Sequence, residues 1–169
     1  MPKKFRLLLV NANVILQAHT DGTWRHIIER CEIHLTETVV EESQFYEDAD
    51  GVRHEIELQS AIAAGDVTVH SVTVSQLQAL RARFGTLYQE KLDDSEAESL
   101  AILLSNEDKW LLTSADKIVY RVLSSMGRGE QGVSLEEILQ QTGLGRPLPH
   151  MFTKRRTNEF GRGTSSACC

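Results

Sequence analysis

Cysteine is scarce in this chain: of 169 residues only Cys31, Cys168 and Cys169 carry a thiol, and two of these are adjacent. That is no disulfide framework, and it points to a reducing cytosol. An excess of positive charge is also missing. The formal net charge of −6 argues against general electrostatic adhesion to nucleic acid or anionic lipid, while leaving room for a local basic patch. No apolar run is long enough to span a bilayer. The opening MPKKFRLLLVNANV has a short apolar run interrupted by asparagine, and it reads as a first strand rather than a signal peptide.

Several chemical signatures are absent as well. There is no GxxxxGK[ST] loop for nucleotide phosphates and no Gly-x-Ser-x-Gly elbow for a serine hydrolase. The pairs Gly127/Gly129, Gly143/Gly145 and Gly161/Gly163 lack the strand–turn–helix setting of a dinucleotide site. The six histidines, His19, His26, His34, His54, His70 and His150, show no zinc spacing with cysteine and read as surface or strand residues. Internal repeats are absent.

What is present is alternation of short β-rich runs with longer helical ones. Strands are expected at Phe5–Val10, Glu32–Leu35, within Val67–Val74 and at Trp110–Thr113, with a very short one at Gly132–Val133. Helices are expected over Ile15–Arg30 with a break near Asp21-Gly22, after a cap at Thr36 or Thr38, over Leu58–Ala64, Ser75–Phe84, Ser95–Asn106 and Ala115–Met126, and from Ser134, where Glu137 completes a capping box. Glu47–Gly51 reads as a turn or surface loop. Strand–helix alternation predicts an α/β fold, a three-layer α/β/α domain with a central, mostly parallel sheet. The length suits one domain, residues 1–146, followed by a basic, loosely ordered tail over 147–169 that carries Lys154, Arg155, Arg156 and Arg162. Trp24 and Trp110 are expected in or near the core. Phe84 and Leu87 are candidates to face a partner. Cys168-Cys169 reads as a frayed end rather than a lipid-bearing one.

The acids fall where such a fold builds sites. Asn11 follows the first strand, Glu42 lies in the helix after the second, Glu96 opens a later helix, and Asp116 follows the fourth strand. In a doubly wound sheet these places converge on one crevice. Carboxylates crowded together repel one another unless a cation neutralises them, and an all-oxygen set suits Mg²⁺ or Mn²⁺. Each residue also has a plain structural role open to it. Glu42 could be a solvated helix residue, Glu96 a partner of the helix dipole, Asp116 an N-cap, and Asn11 a turn residue.

Four motifs together resemble the PIN-domain family of metal-dependent ribonucleases. They are Asn11-Ala12-Asn13-Val14-Ile15-Leu16 after the first strand; Thr36-Glu-Thr-Val-Val-Glu-Glu42; Asp94-Ser95-Glu96-Ala97-Glu98-Ser99-Leu100-Ala101; and Leu111-Leu112-Thr113-Ser114-Ala115-Asp116. The resemblance runs over about residues 5–142. It implies a PIN-like fold and an endoribonuclease that hydrolyses RNA phosphodiesters with Mg²⁺ or Mn²⁺. Metal-binding and catalytic roles pass to Glu42, Glu96 and Asp116, and supporting roles to Asn13, Glu98, Thr113 and Ser114. The family's first acid is Asp; here Asn11 stands there as a neutral ligand, so weaker metal affinity is expected. The resemblance further implies RNA as substrate, an antitoxin-like partner if it acts in a toxin–antitoxin pair, and association into a homodimer, while the cysteine usage points to the cytoplasm. Two other readings differ in kind. One is a catalytically degenerate PIN-like module that binds protein or RNA. The other is an acidic-pocket receiver domain, for which Lys117 is a poor match in position.

Overall fold

A computed structural model describes residues 4–84, 91–106 and 110–154. Its centre is a four-stranded sheet of β1 (Phe5–Leu9), β2 (Cys31–Thr36), β5 (Val67–His70) and β6 (Leu111–Thr113), in the order β5-β2-β1-β6. All three pairings are parallel, with Leu7 opposite both Ile33 and Leu111. The inner strand β1 is apolar on both faces because both are covered: Leu7, Leu8, Leu9 and Val10 are all buried. β2 and β5 lie on one side of β1, and β6 lies on the other. The strand order thus reverses between β1 and β6, and that is where an open parallel sheet leaves a crevice at its carboxyl edge.

Side-chain alternation divides the core in two. On one face Leu7, Leu9, Ile33, Leu35 and Val67 pack with Val14, Ile15 and Ala18 of α1 (Ala12–Thr20), Ile27 of α2 (Trp24–Arg30), and Leu135, Ile138 and Leu139 of α8 (Leu135–Gln141). On the other, Leu8, Val10 and Leu112 meet Leu80 of α5 (Val74–Ala82), Leu100 and Leu103 of α6 (Asp94–Ser105), and Val119 and Val122 of α7 (Lys117–Ser125). The result is the expected three-layer α/β/α arrangement. Among the described residues no helix is long and apolar enough to cross a membrane.

Local chemistry sets the element ends. Thr36 caps α3 (Glu37–Glu42), its hydroxyl accepting from Val39 N–H, and Ser134 with Glu137 forms the expected capping box. Gly22, at φ 69°, breaks α1 from α2 at the expected place. Gly132 makes a close approach: a Cβ there would lie 2.8 Å from the Tyr120 ring. The expected fifth strand reduces to one parallel bridge between Leu112 and Gly132.

Two expectations are borne out and refined, and one is corrected. The third strand lies within the expected stretch, at Val67–His70, and the helix after it starts one residue earlier than expected, at Val74, because Thr73 and Gln76 form a reciprocal capping box there. The loop around Glu47–Gly51 is the turn of an antiparallel hairpin, β3 (Phe45–Glu47) with β4 (Arg53–Glu55). Asp48 closes that turn by accepting from Asp50 N–H and Val52 N–H, each at 2.9 Å. Its three-residue strands are too short to show a period of two. Finally, residues 147–154, placed with the tail, include a 3-10 turn at His150–Phe152 whose Phe152 is buried in the first core cluster. Residues 155–169, with Arg155, Arg156, Arg162 and Cys168-Cys169, lie outside the described residues, as does Leu87. Trp110 is buried, whereas Trp24 is partly buried against the core. α4 (Gln59–Ala63) follows the hairpin and precedes β5.

Candidate functional site

The carboxyl edge of the sheet opens into a cleft of about 260 Å³ lined by Asn11, Ala12, Asn13, Glu42, Asp93, Glu96, Ala115, Asp116 and Met151. They arrive from several elements. Asn11 is the N-cap position of α1, directly after β1, and Asp116 is the N-cap of α7, shortly after β6. Glu42 closes α3 and Glu96 stands in the first turn of α6. The structure therefore brings Asn11, Asn13, Glu42, Glu96 and Asp116 together. Glu98, Thr113 and Ser114 do not line the cleft.

Ser114 instead ties its two sides. Its hydroxyl accepts from Asn11 Nδ2–H at 3.0 Å and from Asp116 N–H at 3.0 Å. Ser114 is fixed in turn by Tyr120, whose hydroxyl oxygen accepts from Ser114 N–H at 3.0 Å. The same hydroxyl lies 2.8 Å from the Ser114 carbonyl and 3.1 Å from that of Val133, and donates to one of them. Because Nδ2 is committed to Ser114, Asn11 turns Oδ1 the other way. That oxygen is buried and has no partner among the described residues. Thr113 Oγ1 is likewise buried without a partner.

Two of the plain structural roles are real and coexist with membership of the cleft. Asp116 accepts from Ile118 N–H at 3.1 Å as an N-cap. Glu96 completes a capping box with Asp93: Glu96 Oε2 accepts from Asp93 N–H at 3.2 Å, and Asp93 Oδ1 accepts from Glu96 N–H at 2.8 Å. Asp93 and Met151 are the lining residues that sequence reasoning missed. Asp93 has a signal, since an Asp three residues before a Glu at a helix start is a capping-box pattern. Nothing local in the sequence marks Met151.

The electrostatics are one-sided. No Lys, Arg or His is among the lining residues. Glu96 is only 2% exposed. Burial, then the charges of Asp93, Asp116 and Glu42, push its carboxyl up to about 8. Glu42 is raised too, by burial first and then by Asp93, Asp94 and Glu98, with the Ser95 hydroxyl offsetting part of the effect. Glu98 thus acts on the site through its charge. A site of this kind attracts a cation.

The donor chemistry fits a hard divalent ion: carboxylate oxygens of Glu42, Glu96 and Asp116, and the unpartnered amide oxygen of Asn11. Among the described residues no three His, Cys, Asp or Glu side chains converge into a ready-made metal-binding group. The fit is therefore to an ion such as Mg²⁺ or Mn²⁺ that keeps several waters and takes few protein ligands, rather than to an all-protein cage. Lys117 opens α7 instead of ending a strand, which removes the receiver-domain geometry.

Fold and cleft together define an α/β protein with an acidic crevice at the switch point of a parallel sheet. The chain matches no known protein-family model and no curated protein.

Proposed function

We propose that the protein is a PIN-like, Mg²⁺- or Mn²⁺-dependent endoribonuclease that hydrolyses RNA phosphodiesters. The observation that carries this reading is the meeting of Asn11, Glu42, Glu96 and Asp116, distant in sequence, in one cleft without a cationic side chain. Glu42, Glu96 and Asp116 would hold the ion, with Asn11 Oδ1 as a neutral donor. When bound, such an ion offsets phosphate charge and makes a water a better nucleophile. The chain's own residues have distinct tasks. Ser114 holds Asn11 and the Asp116 backbone in register across the cleft. Glu96, buried and surrounded by negative charge, takes up a proton near neutral pH in the metal-free protein, and a bound ion would hold it as the carboxylate. The exposed carboxylates of Asp116 and Glu42 face incoming substrate. The cytoplasm is the proposed location, in keeping with a free, buried Cys31 whose thiol is pushed up to about 12 by burial. An antitoxin-like protein and a second copy of the chain are the proposed partners.

A second reading is favoured by one specific observation. Asn11 brings no charge where a carboxylate would be the strongest ligand, and its amide is anchored to Ser114. A degenerate PIN-like module that binds RNA or protein without cutting follows from that.

The deciding experiment is cleavage of a structured RNA in Mn²⁺ by the wild type, Asp116→Asn and Asn11→Asp, with calorimetric titration of the metal. Cleavage by the wild type that disappears in Asp116→Asn supports the nuclease. Cleavage only after Asn11→Asp supports the degenerate module. Absence of metal binding in all three proteins rejects the metal site.

A further inference from the structure

β2 and β5 turn Ile33, Leu35 and Val67 into the first core cluster. Alternation therefore puts Glu32, His34, Thr68 and His70 on the opposite face. On β1 and β6 that face is apolar, with Leu8, Val10 and Leu112; on β2 and β5 it is not. His34 is 5% exposed and stacks on Trp110 with ring centroids 4.2 Å apart. Its Nδ1 lies 2.8 Å from Nε2 of His70 on the neighbouring strand, and its Nε2 lies 3.1 Å from Glu32 Oε1. Arg6 reaches Glu32 from β1 at 3.8 Å.

The tautomers follow from these contacts. A carboxylate only accepts, so His34 Nε2–H donates to Glu32, and His34 Nδ1 presents a lone pair towards His70. A carboxylate behind an imidazole is the arrangement that orients metal-ligating histidines. Burial, and for His34 the neighbouring His70, push both imidazoles below the usual histidine range. Both are then neutral at pH 7, the form that can ligate.

We propose that His34 and His70 form a two-histidine site for an imidazole-preferring divalent transition ion such as Cu²⁺ or Zn²⁺. The site shares no residue with the carboxylate cleft and does not depend on the nuclease reading. Metal–nitrogen bonds of about 2.0–2.1 Å at a tetrahedral angle separate the two nitrogens by about 3.3 Å. The pair therefore needs to open by about half an ångström, a shift available to the half-buried His70. The proton now between the rings moves to Nδ1 of His70, so binding to the neutral pair releases none. Solvent on the open side of His70 completes the coordination, and Trp110 covers the other side.

Trp110 also supplies the readout. The chain has two tryptophans, so Trp24→Phe leaves Trp110 as the only one, and Cu²⁺ bound beside it quenches its fluorescence. Full-length Trp24→Phe protein is titrated with Cu²⁺ and then with competing Zn²⁺, alone and combined with His70→Gln, His34→Gln or the surface control His26→Gln. The expected result is saturable quenching at one ion per chain, reversed by Zn²⁺ and unchanged by His26→Gln. His70→Gln is expected to weaken it by at least about ten-fold, the scale of losing an orienting or ligating group. His34 is buried, so His34→Gln counts only if its thermal unfolding remains cooperative; His70→Gln, at a half-buried position, decides without it. Quenching that does not saturate, or that is the same in His70→Gln, overturns the proposal.

Discussion

The two faces of the sheet are built to different ends. On one face the strands are apolar from β1 across to β5, and α1, α2 and α8 close over them. On the other face the apolar cover holds only over β1 and β6; on β2 and β5 it gives way to Glu32, His34 and His70, linked by hydrogen bonds. The first face makes the fold, and side chains there are replaceable only by others of similar volume. The second tolerates Glu32, His34 and His70 because they partner one another. The carboxyl edge, where both faces end, then collects the acids.

Breaking the first face should have the largest effect. Leu35→Ala, at a fully buried position, should cost about 2–5 kcal/mol of stability, measured by urea unfolding. His70→Gln on the second face should cost less, about 1 kcal/mol, the scale of one hydrogen bond to the buried His34 ring. Similar losses for both would erase the distinction.

At the edge, Asp116→Asn keeps an N-cap but removes a charge from the cleft. The proposed RNA cleavage should fall on the order of a hundred-fold, the scale of losing one group that stabilises developing charge, with little change in melting temperature. Tyr120→Phe should cost about 1–3 kcal/mol by leaving the buried Ser114 N–H unsatisfied, and it should loosen Asn11 and Asp116 together. A variant as stable as wild type would show that Ser114 finds another acceptor.

A further effect is one of pH. Glu96 in the folded protein is raised to about 8, above the ordinary glutamate value that it has when unfolded. Its protonated form therefore favours the folded state, and that contribution is lost as pH rises from about 4.5 through 8. The metal-free protein should lose stability over this window. Glu96→Gln should flatten the slope and raise the melting temperature at pH 8 by a few degrees, while Mg²⁺ or Mn²⁺ should do the same for the wild type.

Much of the fold was legible in the sequence because strand–helix alternation, the break at Gly22 and the capping pairs are local signals. The hairpin at Phe45–Glu55 was not, since three-residue strands carry no period and their pairing is made by Asp48 and by the stacking of Tyr46 on His54. The cleft was legible in its acids, each of which follows a strand or opens or closes a helix. Asp93 was concealed by its own local role as a cap. The His34–His70 pair was hidden because the two residues, 36 positions apart, meet only through β2–β5 pairing.

Met151 and Phe152 carry one more consequence. Phe152 anchors the last described turn in the core, and Met151 beside it forms part of the cleft wall. During synthesis, Asn11 leaves the ribosome early and Asp116 much later, and the wall is still missing until residue 152 has emerged. The crevice thus comes into being only when the acids, the sheet and this closing turn are all present in one molecule.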